Sequence, residues 1–187
     1  MFKRIEKERE LALFHYIWMT VWKEKGYEFE FPDEVLDRRL IVAPDGAYCG
    51  TAEIRPYASE AEELERIAPF SRLGEVAEDP EKVVVADRIA LLPNYRGKQI
   101  QALLSSIVYM SEQRGARWCA ALLEPVFCRA LRITFKVPMT IVGPKQPYKG
   151  DFVVPVLFPV EEIYRDPERH EWLSYAHAHE VRQAVLA

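Results

Sequence analysis

Arg96, Gly97 and Lys98 make a short cationic turn between a strand-like run and a helix-like run. Such a turn directs free backbone N–H groups and the positive end of a helix dipole at one spot, which suits a phosphate. Gly97 lets the backbone come close to a ligand. An ordinary strand-to-helix connection with solvated basic residues fits the same residues, and a motif this short does not choose between the two. Two acids stand nearby in the same part of the chain. Asp87 lies inside the apolar run Val83–Leu91, on the face alternating with Arg88. Burying a carboxylate alone is costly, so Asp87 needs a partner or a site. Glu124 ends the next apolar run, where ligand clefts of α/β sheets open. Either acid fits a general base. Asp87 and Arg88 fit equally well as salt bridges that anchor strands.

The elements that would hold these residues follow from periodicity. Val83–Leu91 is rich in β-branched residues and reads as a strand, stopped by Pro93-Asn94. Ile100, Leu103, Leu104, Ile107 and Val108 recur at helical spacing, and Gly115 stands where a left-handed residue would close that helix. Residues 117–123 form a buried strand parallel to the first, joined by a right-handed crossover. Glu124-Pro125 then opens a short helix to about Thr134.

Upstream, residues 6–25 read as a helix ending at Gly26, with Leu11, Phe14, Trp18, Val21 and Trp22 along one side. Residues 39–43 and 48–55 form a hairpin around Pro44-Asp45-Gly46. Ser59 and Glu62 make a capping box that starts a helix to about Ala68, and residues 70–81 are irregular. Downstream come strands at 138–142 and 152–158. Asp166 caps a final helix with Pro167 in its first turn, and Trp172, Tyr175, Ala176 and His179 on its inner face. The pattern is α/β (α+β), with a mixed central sheet flanked by helices.

A chain of 187 residues fits one domain, 1–187, in which 166–187 is a C-terminal helical extension. Apolar content of 49% and charged content of 29% are those of a soluble globular protein. A net charge of −4 argues against a general nucleic-acid partner. The N-terminus is too charged for a signal peptide and no apolar run is long enough to span a bilayer, so a cytoplasmic location is expected. Cys49, Cys119 and Cys128 read as reduced core thiols. Neither Cys119 nor Cys128 has a histidine near it in sequence, so neither reads as a nucleophile. His177 and His179 point to opposite sides of a helix, and no metal is expected. Acids crowd residues 53–81, whereas 125–150 holds only basic charges, among them Arg129, Arg132, Lys136, Lys145 and Lys149. Each alone reads as a solvated face; together the basic group suits an acidic carrier protein or a nucleotide phosphate.

The run RIALLPNYRGKQIQALL resembles the acyl-CoA motif of the GNAT superfamily of N-acetyltransferases, Arg/Gln-x-x-Gly-x-Gly/Ala between a strand and a helix. The flanks are similar to one branch, the autoinducer-synthase-like and long-chain N-acyl amino acid synthase-like acyltransferases. The segment from Tyr16 to Tyr27 matches that branch's Arg-rich, Glu-x-Gly-Tyr helix end. Gly50-Thr51-Ala52-Glu53-Ile54-Arg55-Pro56 matches its Gly-Thr-Ala-Arg-Leu-x-Pro strand. Ile141-Val142-Gly143-Pro144, Tyr148-Lys149-Gly150 and Val154-Pro155-Val156 match its closing strands.

The resemblance implies the GNAT acyl-CoA N-acyltransferase fold and transfer of an acyl group from a thioester to a small-molecule amine, an amino acid or related metabolite. The donor would be acyl-CoA or the acyl-phosphopantetheine of an acyl carrier protein, and the protein a monomer or homodimer. It places the donor along Ile89, Ala90 and Leu91 and around Arg96, Gly97, Lys98, Gln99, Ile100 and Gln101. Gln99 and Gln101 stand where the superfamily has small residues, a change that a carrier-protein donor tolerates better. Where the branch reads Glu-x-Ser-Arg, this chain has Val85, Ala86, Asp87 and Arg88, so Asp87 is a shifted substitute for the family's acid. Asp87, Glu124 and Arg88 are thus the catalytic candidates. Leu131 stands where the superfamily has a tyrosine acid. The loop after the first helix would roof the acceptor site, with Trp22, Phe29 and Phe31 lining an acyl pocket or simply packing. A degenerate relative that binds an acyl thioester as a sensor or interaction module is the alternative function.

Overall fold

The computed structural model describes residues 1–31 and 34–174. Its elements run β1 (Phe2–Arg4), α1 (Glu8–Lys25), β2 (Asp37–Val42), β3 (Tyr48–Pro56), α2 (Tyr57–Ile67), α3 (Gly74–Glu78), β4 (Val83–Leu91) and α4 (Ile100–Gln113). The second half adds β5 (Trp118–Leu123), α5 (Pro125–Ile133), β6 (Thr140–Ile141), β7 (Gln146–Tyr148), β8 (Asp151–Phe158) and α6 (Val160–Arg165). The strands form one sheet in the order β1-β2-β3-β4-β5-β8-β6, with β7 hung on β8. Among the described residues only the β4–β5 pair is parallel.

Both faces of the sheet are covered, which is why β4 reads as a near-continuous apolar run. One face packs α4, α5 and α6 around Leu103, Met110, Leu131, Val156 and Ile163. The other packs α1 through Phe14, Ile17 and Trp18, and α2 through Tyr57 and Leu64. Burying a side chain such as Leu103 stabilises the fold by roughly 1.5–3 kcal/mol. Helix α1 carries Glu8 and Glu10 in its first turn and Lys23 and Lys25 in its last, matching its dipole. It stops at Gly26, whose φ of 79° is left-handed, while the Tyr27 N–H returns to the Trp22 carbonyl at 2.9 Å.

Strand β4 has two irregularities that matter for function. Its pairing with β5 runs from Val83↔Trp118 to Ala86↔Ala121 and then ends, although β4 continues to Leu91 and β5 to Leu123. The two strands therefore part. Against β3, Glu53 faces Asp87 but Thr51 faces Ala90, so β4 spends one residue more than its partner. This is a bulge, and Arg88 within it has φ 45°. The strict alternation expected of Asp87 and Arg88 does not carry past this point.

Several expectations are corrected. Helix α2 begins at Tyr57, with Pro56 in the cap position, ahead of the start expected at Ser59. Among the described residues no α-helix starts at Asp166: residues 167–169 make a single 3₁₀ turn and the chain is irregular to 174, and the rest of the expected helix lies outside the described residues. Asp166 ends α6 and, with φ −131°, also stands in the cap position of that 3₁₀ turn with Pro167 as its first residue, although its side chain makes no capping hydrogen bond. Trp172 is buried as expected, whereas Tyr175, Ala176, His177 and His179 lie outside the described residues. Residues 70–81 hold short helical turns rather than irregular chain, and β1, β7 and α6 are additional to the sequence reading.

Candidate active site

A cleft of about 320 Å³ opens where β4 and β5 part. Beyond Ala86 no described strand pairs with the β5-side edge of β4, so backbone groups of residues 87–91 face this space. Asp87, Arg88, Ile89, Ala90 and Leu91 line it from β4, and Glu124 lines it from the end of β5.

One end is formed by Arg96, Gly97, Ile100 and Leu103. Gly97 has φ 81°, and a Cβ added there would meet nothing within 4 Å, so glycine serves the turn's backbone rather than close packing. The N–H groups of Lys98 and Gln99 both return to the Tyr95 carbonyl at 3.1 and 3.2 Å, and Leu103 N–H bonds the Gln99 carbonyl. The N–H groups that helix geometry leaves over at the start of α4 are those of Ile100, Gln101 and Ala102. Lys98 and Gln101 are exposed and Gln99 is half-buried, and none of the three lines the cleft. The Arg96 guanidinium is held by both oxygens of Glu24, at 2.9 and 2.8 Å, and its Nε–H donates to the Leu91 carbonyl at 3.2 Å. Hydrogen bonding from Arg96 holds the Glu24 carboxyl below its usual range.

The other end is an ionic lattice. The Arg55 guanidinium bonds Asp87 and Glu60, each at 2.7 Å. Arg88, 2% exposed, bonds Glu53 and the Glu30 carbonyl and lies 3.3 Å from Asp87, with its guanidinium 4.8 Å above the Trp18 ring. Glu53 is fully buried and also takes Arg38 at 2.6 Å. Lys149 bridges Glu30 at 2.7 Å and Glu63 at 3.1 Å, and Tyr148 donates to Glu63 at 2.7 Å. Burial pushes the Glu60 carboxyl up, with Asp87 and Glu63 adding to the rise against the opposing Arg55. Burial, then Glu63, pushes the Tyr148 phenol well up. Between the two ends, Lys25 pairs with Glu124 at 2.8 Å. Tyr27 lines the cleft beside them, its phenol pushed up to about 12 by burial and then by Asp151 and Glu124.

Sequence reasoning therefore reached Asp87, Arg88, Glu124, Ile89, Ala90, Leu91, Arg96, Gly97 and Ile100 as residues that share one cleft. The loop after α1, expected to roof the site, contributes Tyr27, whereas Glu60, Glu63 and Tyr148, which share the cleft too, were not anticipated. Glu60 and Glu63 sit in an acid-rich stretch that reads as a solvated face, and only the fold turns them inward. Trp22 lines the cleft, whereas Phe29 and Phe31 are 40% and 61% exposed and pack against Trp18. Leu131 is core. The three cysteines are free and buried, and burial pushes Cys49 up to about 11 and Cys119 up to about 12. Among the described residues no group of three or more His, Cys, Asp or Glu could hold a metal, and no helix is long and apolar enough to cross a membrane.

A mixed sheet whose parallel central pair parts over a cleft, beside a glycine turn and a helix start, is the GNAT acyltransferase fold. No family model matches the sequence, and no curated protein matches it. Solved structures do match. TofI, solved in a ternary complex with an inhibitor and MTA, aligns over 86% of this chain and 90% of its own, with TM-score 0.64 and 16% identity. FeeM, an N-acyl amino acid synthase from uncultured soil microbes, aligns over 87% and 91%, with TM-score 0.63 and 12% identity. MesI, a CoA-dependent acyl-homoserine lactone synthase, aligns over 91% and 92%, with TM-score 0.57 and 13% identity. The structural neighbours are thus GNAT-like acyl-homoserine lactone synthases, an N-acyl amino acid synthase and acyl-CoA N-acyltransferases.

Proposed function

We propose that this protein is an N-acyltransferase that moves an acyl group from a pantetheine thioester to a small amine. The single observation that carries this reading is the parting of β4 and β5 beyond Ala86 and Ala121, which leaves a strand edge open to a cleft lined by titratable groups. A pantetheine arm can hydrogen-bond such an edge, and backbone N–H groups of 88–91 would hold the thioester oxygen as charge develops on it. The amine nitrogen bonds to the thioester carbon, the C–S bond breaks, the nitrogen's proton leaves to a carboxylate, and the thiolate takes a proton. Asp87, at the parting point, is assigned the first proton, with Arg88 and Arg55 fixing its position. Glu124 is the second carboxylate facing the same space. Tyr27 is assigned the proton returned to sulfur. Its raised phenol stays protonated at neutral pH, and it faces the cleft where α5 offers only the buried Leu131.

Acyl-CoA and an acyl carrier protein are both retained as donors. Gln99 and Gln101 do not fill the cleft, which favours neither over the other. A thiol-release assay with acyl-CoAs and with acylated carrier protein, over a panel of amines, tests the reading. Turnover that survives both Asp87→Asn and Glu124→Gln would remove the acid assignments. The sensor alternative draws on a different observation: Asp87, Glu124 and Arg96 are each already engaged in an ion pair. Tight thioester binding with no turnover over any amine would establish it.

A further inference from the structure

We infer that the acceptor is a primary amine carrying no carboxylate of its own, such as a diamine or an arylalkylamine, and not an α-amino acid. The inference rests on the reading of the cleft as a site of acyl transfer. A zwitterionic amino acid is held best by a free cation for its carboxylate together with a carboxylate for its ammonium. Among the described residues every cation at this cleft is already in an ion pair. Lys25 is held by Glu124, Arg96 by Glu24, Arg55 by Asp87 and Glu60, Arg88 by Glu53 and Asp87, and Lys149 by Glu30 and Glu63. To seat a carboxylate, the protein would have to break one of these pairs and leave a carboxylate behind it uncompensated, a penalty that grows with burial.

The lining of the cleft points the same way. The lattice at the α2 end sets the carboxylates of Glu53, Glu60, Glu63 and Asp87 against Arg38, Arg55, Arg88 and Lys149, while Glu30, 60% exposed, is screened by water. Of these groups Glu60, Glu63 and Asp87 line the cleft together, with Arg88 facing it among the cations, so an incoming ammonium meets mostly carboxylates there. Glu60 is the least compensated of the three: its side chain is 11% exposed and its ion-pair partner is Arg55, itself shared with Asp87. Burial that lifts the Glu60 carboxyl is relieved when an ammonium arrives. An ammonium seated by Glu60 and Glu63 then has Asp87 within the same lattice to receive its proton before attack.

The test pairs each amino acid with its decarboxylated form. Binding of octanoyl-CoA and octanoyl carrier protein to the full chain is measured first by calorimetry. Thiol release is then followed with cadaverine against lysine and tyramine against tyrosine. The expected result is a kcat/KM at least about tenfold higher for cadaverine and tyramine. Equal or better use of lysine and tyrosine overturns the acceptor assignment and leaves acyl transfer standing. Donor binding with neither amine of either pair acylated also overturns it, whereas failure to bind any donor removes the acyl-transfer reading beneath it. Glu63→Gln should loosen Lys149 and narrow the preference severalfold, and Glu60→Gln should lower kcat/KM for cadaverine at least about tenfold with donor affinity kept. If Glu60→Gln fails to fold, the more exposed Glu63→Gln carries the test, and an unchanged preference in that variant overturns the assignment.

Discussion

The two ends of the cleft are built by opposite means. At the α4 end, a contiguous piece of chain supplies everything: strand, glycine turn, helix start and one arginine at the surface. At the α2 end, the side chains come from β2, β3, α2, β4, the loop after α1 and the turn after β7, and they lock one another by charge. The first end depends on backbone geometry and is half open to water. The second depends on carboxylates and guanidiniums most of which are kept from water, where losing a partner is costly. A substitution at the α4 end should therefore shift an affinity, while one at the α2 end should threaten the fold or the chemistry.

The strongest contrast is expected from Arg88→Ala. It leaves fully buried Glu53 with Arg38 as its close partner, and removing one member of a buried pair costs about 3–5 kcal/mol. Urea denaturation measures this, and a loss below about 1 kcal/mol would show that the lattice is not needed for stability. Next comes Asp87→Asn. It keeps the side chain's size and should lower kcat roughly 100-fold, the scale of one general base, with little change in donor affinity. At the α4 end, Gly97→Ala places a Cβ on a residue with φ 81° and costs about 1 kcal/mol, enough to raise the donor KM severalfold. Glu24→Gln should do the reverse: it frees Arg96, strengthens donor binding two- to threefold, and does so less as salt rises. The smallest effect concerns neither end. Cys49 and Cys119, buried and pushed up to about 11 and about 12, should resist iodoacetamide in the folded protein at pH 8 and react once urea unfolds it.

The same contrast explains what could be read from the chain. Val83–Leu91 and its turn were legible because β-branched run, proline stop, glycine and helical spacing are local signals, and the structure reproduces that strand to the residue. Gly26 and Gly115 were legible for the same reason, and both have positive φ. The α2 end was not. Nothing about Glu60 in a run of acids says that Arg55 will turn toward it, or that Tyr148 will reach Glu63 from 85 positions away. Arg96 shows the limit on the legible side. Its charge was plain, but its neutralisation by Glu24, 72 positions earlier, required the fold. Short strands such as β1 and β7 escaped notice because three residues carry no measurable periodicity.

The extra residue in β4 has an effect on heredity as well as on shape. Before it, Val83 and Val85 face α2 while Val84 and Ala86 face α4; after it, Leu91 is on the α4 side and Ala90 on the α1 side. Odd and even positions have exchanged layers. Losing a single codon between Asp87 and Ala90 would restore plain alternation and leave Ala90 and Leu91 in their present layers. What such a shortened strand gives up is the bulge itself, and with it the left-handed position that Arg88 occupies.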